Sequence, residues 1–242
     1  MKPFEYLFVA ALALSACGEP EVQDISLDTE ALEAEAEAAA QAEAAELAAV
    51  EAAALPEDKD VSSLPAGTYL DEDGHAYIAF SYSHQGYSNP ILRFNGDAFE
   101  ARLNLVPDNP TASTLVVDID PSQIDSGVDD FDAHLVSGDM FDVENHPDIR
   151  FVSTSLSMDS DTTGTLLGDL TMKGITKPVA LDVTLNKVGK HFRSEAPLLG
   201  VSATGSLKRS EWDLGYATPF VGDEVDLMLE LEFQPEEFLA DQ

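Results

Sequence analysis

The chain has 242 residues, enough for one large domain or two small ones, and sets 12 Lys and Arg against 46 Asp and Glu for a net charge of −34. Such a surface repels nucleic-acid phosphates and bare anionic membranes, which excludes a DNA- or RNA-binding role. A single cysteine, Cys17, excludes an intrachain disulfide, so the fold rests on its core alone.

Residues 1–16 begin with Lys2 and run through an apolar core from Leu7 to Leu14. That core is too short to span a bilayer and has the shape of a signal-peptide hydrophobic region. Its end, Leu14–Ser15–Ala16–Cys17, resembles the lipobox of bacterial lipoproteins. The resemblance implies cleavage before Cys17, lipidation of its thiol and attachment to the membrane by more than one acyl chain. An ordinary secretory signal with an incidental cysteine is the competing reading. Gly18 stands where an aspartate would imply retention in the inner membrane, which points to the outer membrane of a bacterial envelope, facing the periplasm.

Residues 17–64 are of different material. Glu30 to Leu55 is nearly all Ala and Glu, both strong helix formers, but no Lys or Arg pairs the glutamates. Large apolar residues occur only at Leu32, Leu47, Val50 and Leu55, too sparse for a heptad seam. The expectation is an acidic spacer, helical or disordered, with a coiled-coil oligomer as the sharper alternative and the oligomeric state, a dimer among the options, left open. Pro56 ends the run, and Pro65–Ala66–Gly67 marks entry into a domain at 65–234, with a tail at 235–242.

Within that domain the period becomes two. Ile78, Phe80 and Tyr82 share a face, as do Phe99, Ala101, Leu103 and Leu105, and then Leu115, Val117 and Ile119. Val179 to Leu185, Leu199 to Leu207 and Val225 to Phe233 repeat the pattern, with weaker strands at Ile149–Leu156 and Leu166–Met172. Hairpin joints are expected at Asp159–Gly164 and Asn186–Lys190. One apolar face per strand means antiparallel sheet around a shared interior. The fold class is all-β, and about eight such strands suit a closed barrel, with a two-sheet sandwich as runner-up. Pro121 to Phe151 interrupts the alternation; it reads as a structured connection with a short helix from about Asp129 to Ser137, and its Phe131, Leu135, Met140 and Phe141 turn inward.

Several motifs in order resemble the YceI family of periplasmic, lipocalin-like, polyisoprenoid-binding proteins. They are His75 with Phe80 and His84–Gln85–Gly86; Ile124–Asp125–Ser126–Gly127; Asp132–Ala133–His134–Leu135; His146 to Phe151; Gly168 to Val179; and Ser206 to Gly215 followed by Val221–Gly222–Asp223–Glu224–Val225. The likeness runs from about Gly67 to Phe233. It implies an eight-stranded antiparallel barrel with a helix in the central connection and an elongated apolar pocket for isoprenoid chains, quinones or fatty-acid-type lipids. Phe131 and Val136 stand where the family usually has arginines, Met140 where it has phenylalanine and Leu92 where it has glycine. The first two changes remove cations from the lid.

Pocket candidates are Phe80, His84, Phe94, Phe99, Phe131, His134, Leu135, Met140, Phe141, Phe151 and Trp212, each of which could equally be plain core. Lys173, Lys177, Lys208 and Arg209 are the candidates to grip a head group, against a bland reading as surface cations balancing local acid. The histidines show no metal-binding spacing. Asp159–Gly164 starts like a calcium loop but has Leu170 at the twelfth position. No nucleophile elbow, phosphate loop or dinucleotide glycine pattern occurs, so the expectation is non-enzymatic, without cofactor or metal. The function expected is sequestration or transport of a long-chain lipid. The alternative is a cell-surface structural or interaction module with a packed barrel and no ligand.

Overall fold

The computed structural model describes residues 58–239. The leader, Cys17 and the Ala/Glu-rich run lie outside the described residues. Ten strands form one antiparallel sheet: β1 (Gly67–Asp71), β2 (Tyr77–His84), β3 (Ile91–Asn95), β4 (Phe99–Leu105), β5 (Thr114–Ile119), β6 (Ile149–Met158), β7 (Thr163–Met172), β8 (Ile175–Lys190), β9 (Pro197–Lys208) and β10 (Val221–Pro235). Burial follows the sequence alternation. In β3, for example, Leu92 and Phe94 are buried while Ile91, Arg93 and Asn95 are exposed.

The order β1-β4-β5-β6-β7-β8-β9-β10 returns to β1 through a β1–β10 pairing, so the sheet closes into an eight-stranded barrel. Closure leaves no free edge among those eight strands. β2 pairs with β10 over Val221–Glu230, and β1 pairs with the same strand further on, over Phe233–Pro235. β1 and β2 are thus two lengths of one stave, broken by a turn at Asp73–His75, and β3 and β4 are likewise broken at Gly96–Ala98. The two breaks touch. A Cβ on Gly96 would lie 2.2 Å from the Asp73 carbonyl oxygen, so only glycine fits there. Eight expected strands therefore became ten segments on eight staves, β1 and β3 being too short to stand out as periodic runs.

The joint at Asp159–Gly164 is a turn, closed by the Asp159 N–H donating to the Thr163 carbonyl at 2.9 Å. The joint expected at Asn186–Lys190 is not. β8 continues to Lys190 through a bulge between Leu185 and Lys187, and the chain reverses over residues 191–196. The bulge switches the face of every later residue, and this broke the apparent alternation and imitated a turn. The packed body also begins before residue 65. The Val188 N–H donates to the Asp58 carbonyl at 2.5 Å, and Leu64 is buried.

The central connection carries α1 (Asp129–Leu135), whose first turn holds Asp129, Asp130 and Asp132 at the positive end of the helix dipole. A short helix, α2 (Glu236–Leu239), follows β10, and Arg102 reaches its Glu236 at 3.1 Å.

One polar group sits awkwardly in the wall. Where β1 leaves the ladder, Asp71 Oδ1 accepts the Ala101 N–H at 2.6 Å in place of a backbone carbonyl, while Oδ2 is buried without a partner. Burial pushes this carboxyl up from its ordinary 3.8 to about 6. The folded chain therefore holds a proton that the unfolded chain has lost between those pH values. Its stabilising contribution is full below about pH 4 and lost as pH rises through about 6, a change of roughly 3 kcal/mol. Asp71→Asn keeps the acceptor and removes the charge. It should raise stability at pH 7 by about 1–3 kcal/mol and change little at pH 4, read from urea unfolding at both. An equal effect at both pH values would contradict the assignment.

Candidate functional site

The barrel is filled in one half and hollow in the other. In the filled half Tyr69, Phe99, Ala101, Leu105 and Phe233 are buried, and none of them lines the cavity of the other half. In the other half the inward positions of the remaining staves surround a cavity of about 520 Å³. Its wall is built from Ile78, Phe80, Leu92 and Phe94 of β2 and β3, and from Leu115, Val117 and Ile119 of β5. Ile149, Phe151, Leu170 and Met172 of β6 and β7, Val179 and Leu181 of β8, and Val225, Leu227 and Leu229 of β10 complete it. Phe151 fits because position 168 is glycine; a Cβ there would fall 2.1 Å from its ring.

The central connection roofs this space. Phe131, His134, Leu135, Met140 and Phe141 all face it. Phe94 bridges Phe80 and Phe141, with ring centroids 6.0 and 6.4 Å apart, and His134 sits 5.2 Å from Tyr216 on the loop before β10. Ile91, Val128 and Tyr216 both line the cavity and are exposed, so the cavity opens to solvent between β3, α1 and that loop. The few polar side chains, among them Tyr82, His84, Ser126, His134 and Tyr216, leave the interior otherwise greasy. Burial raises the Tyr82 phenol above its usual pKa, and it stays neutral at physiological pH.

Nine of the eleven sequence-derived pocket candidates face this cavity: Phe80, His84, Phe94, Phe131, His134, Leu135, Met140, Phe141 and Phe151. Two do not. Phe99 belongs to the filled half. Trp212 is 1% exposed and packed into the wall, with its indole N–H donating to the Leu170 carbonyl at 3.1 Å. Leu92, which the family comparison marked as a departure, lines the cavity, as do Phe131 and Met140, while Val136 does not.

The head-group cations are a further correction. Lys173 donates to the Asp213 carbonyl at 2.9 Å and lies 3.7 Å from that residue's carboxylate. Lys177 lies 3.9 Å from Glu211, and Lys208 is exposed opposite Glu224; none of the three lysines borders the cavity. Arg209 does border it, but its guanidinium is consumed by four backbone carbonyls: Gly222 at 2.8 Å, Tyr216 at 2.9 Å, Val221 at 3.1 Å, and Leu214. Burial lowers its pKa, an effect that Asp223 opposes. Lys173 and Arg209 brace loops, and none of the four leaves a free positive fork inside the cavity. The lining residues Val128, Tyr216 and Ala217 carried no sequence signal, and Ser126 was marked only as part of a family motif, because nothing periodic marks a loop residue that folds over an opening.

Among the described residues, one mixed group of metal-ligand type occurs, away from the cavity: Glu72, His75 and Glu232, with ligand atoms within 4.8 Å of one another. His75 Nδ1 is 2.5 Å from the Glu72 carboxylate, which raises the imidazole's pKa.

A closed eight-stranded barrel with this roof meets a specific match. Residues 69–233 fit the family model of the YceI-like domain. The chain belongs to the YceI family. A UPF0312 protein of Pseudomonas putida is 37% identical over 122 residues, covering 50% of this chain and 62% of the relative, so the match spans less than two thirds of that protein. Among solved structures, Burkholderia cenocepacia BcnA superposes with a TM-score of 0.60 at 21% identity, over 67% of this chain and 98% of its own. A polyisoprenoid binding domain from Saccharophagus degradans, implicated in plant cell wall breakdown, superposes at 0.53 and 12% identity, over 71% and 99%. At those identities the two structures speak for the fold alone.

Proposed function

We propose that this YceI-family chain is a non-enzymatic carrier or sink for a long-chain lipid of isoprenoid, quinone or fatty-acid type. The observation that carries the reading is the 520 Å³ apolar cavity, which opens to solvent where β3, α1 and the loop before β10 meet. At roughly 30 Å³ per water-sized group it takes about seventeen methylene-sized groups, three or four isoprene units. Burying them yields about 14 kcal/mol at 0.8 per CH₂, against about 4–15 kcal/mol for immobilising the ligand. Binding therefore depends on filling the cavity. The occupied state of Arg209 and the outward lysines favour an uncharged head group near His84, His134 and Tyr216 over a diphosphate. The Saccharophagus domain, by its description a polyisoprenoid binder, supports a ligand of this class.

Linear alcohols of increasing length test the reading by displacement of a fluorescent lipid. Affinity should rise about fourfold per added CH₂ and level off near seventeen carbons. Absence of binding, or affinity independent of length, would sink it. The lipobox-like end at Cys17 supports anchoring at the bacterial outer membrane facing the periplasm. Palmitate labelling should be lost in Cys17→Ser.

A further inference from the structure

The rim of the cavity is more apolar than the surface around it. Twelve large apolar side chains are exposed among the described residues, and five of them, Tyr87, Ile91, Val128, Tyr216 and Phe220, gather at this one opening. Three line the mouth directly. The other two reach it through pairing: His84, a lining residue, bridges to Ser88 and registers against Val221, which sets Tyr87 and Phe220 beside it. Tyr87 is 87% exposed and Phe220 73%. Arg93 is fixed to Asp125 by a backbone bridge and an ion pair of 3.0 Å, which holds the β2–β3 hairpin to the connection. The remaining seven exposed apolar side chains lie elsewhere on the sheet, at the C-terminal helix and at the β8–β9 turn.

We propose that this rim docks on a neutral, zwitterionic lipid bilayer, so that a ligand passes between membrane and cavity without crossing water. The inference rests on the lipid-carrier reading above. Clustered exposed apolar groups mark a partner surface, and Tyr and Phe suit the membrane interface. The rim is continuous with a greasy cavity whose ligand is sparingly soluble, and a bilayer is where such a ligand resides. Charge selects the lipid. Arg93 is paired with Asp125 and the Arg209 guanidinium is taken up by backbone carbonyls, while Asp129 and Asp130 on α1 are exposed, so anionic lipids find no unpaired arginine at the rim and meet acid.

The test is transfer of a pyrene-labelled prenol from vesicles to the full chain, compared with Tyr87→Ser/Phe220→Ser. With phosphatidylcholine vesicles the rate should rise in proportion to vesicle concentration, as collision requires. The double substitution should slow it about tenfold or more. Affinity for the same prenol added from ethanol should be unchanged, because neither residue lines the cavity. Adding phosphatidylglycerol should slow transfer. A rate independent of vesicle concentration, an unaffected double variant or faster transfer with phosphatidylglycerol would each overturn docking on a neutral bilayer. Loss of binding from ethanol by the parent would instead overturn the carrier reading.

Discussion

Val117→Phe combined with Val225→Phe should weaken lipid binding at least a hundredfold while leaving the barrel folded and as stable as the parent. Both valines are buried and both border the cavity. Each exchange adds about four carbon atoms, so together they displace about eight methylene-sized groups of ligand, worth up to roughly 6 kcal/mol. A hundredfold loss needs only about 2.7 kcal/mol of that. In a filled core the same additions would cost about 1–3 kcal/mol each through strained rotamers and a shifted backbone. Here the rings enter empty space and gain contacts. Lipid titration and urea unfolding read the two quantities separately. A destabilised variant that still binds lipid would mean that the interior is packed and that the ligand sits elsewhere, as expected of a scaffold.

Arg209→Met should cost about 3–5 kcal/mol of stability, lowering Tm by roughly 10 °C or more. The guanidinium is the shared donor for the carbonyls of Leu214, Tyr216, Val221 and Gly222, and so it ties the loop before β10 to the barrel rim. Removing it leaves several acceptors half-buried without a donor. Arg209→Lys should lose at least half as much, because an ammonium cannot reach the fan of carbonyls that a planar fork spans. Thermal melts of both variants decide the matter. Unchanged melting with a selective loss of affinity for prenyl diphosphate would restore Arg209 as a head-group anchor.

The contrast between these two sites shows where reading residues in order succeeds. Phe80 shares an alternating run with Ile78 and Tyr82, and its inward direction follows from period two alone; Phe94 sits on β3, too short to show that period. Leu135, Met140 and Phe141 were legible because large apolar residues in a stretch otherwise full of Asp and Gly must turn inward. Phe99 and Trp212 were misplaced for a different reason. Both are buried, as read, but burial does not say whether the far side of a ring meets a void or a neighbour. Arg209 offers the sequence reader only its charge, which suits a head group or a surface ion pair equally. Its partners are main-chain carbonyls, which leave no trace in the side-chain sequence.

The longer strands with their inward faces, the helix of the connection and the family likeness follow from local order along the chain, since periodicity and turn chemistry act between near neighbours. Only the closed barrel decided which half is hollow, where it opens and which cations are already spent. Those outcomes depend on the distance between walls contributed by β5, β7 and β10, segments remote from one another in sequence, and on a loop whose backbone oxygens surround a single guanidinium.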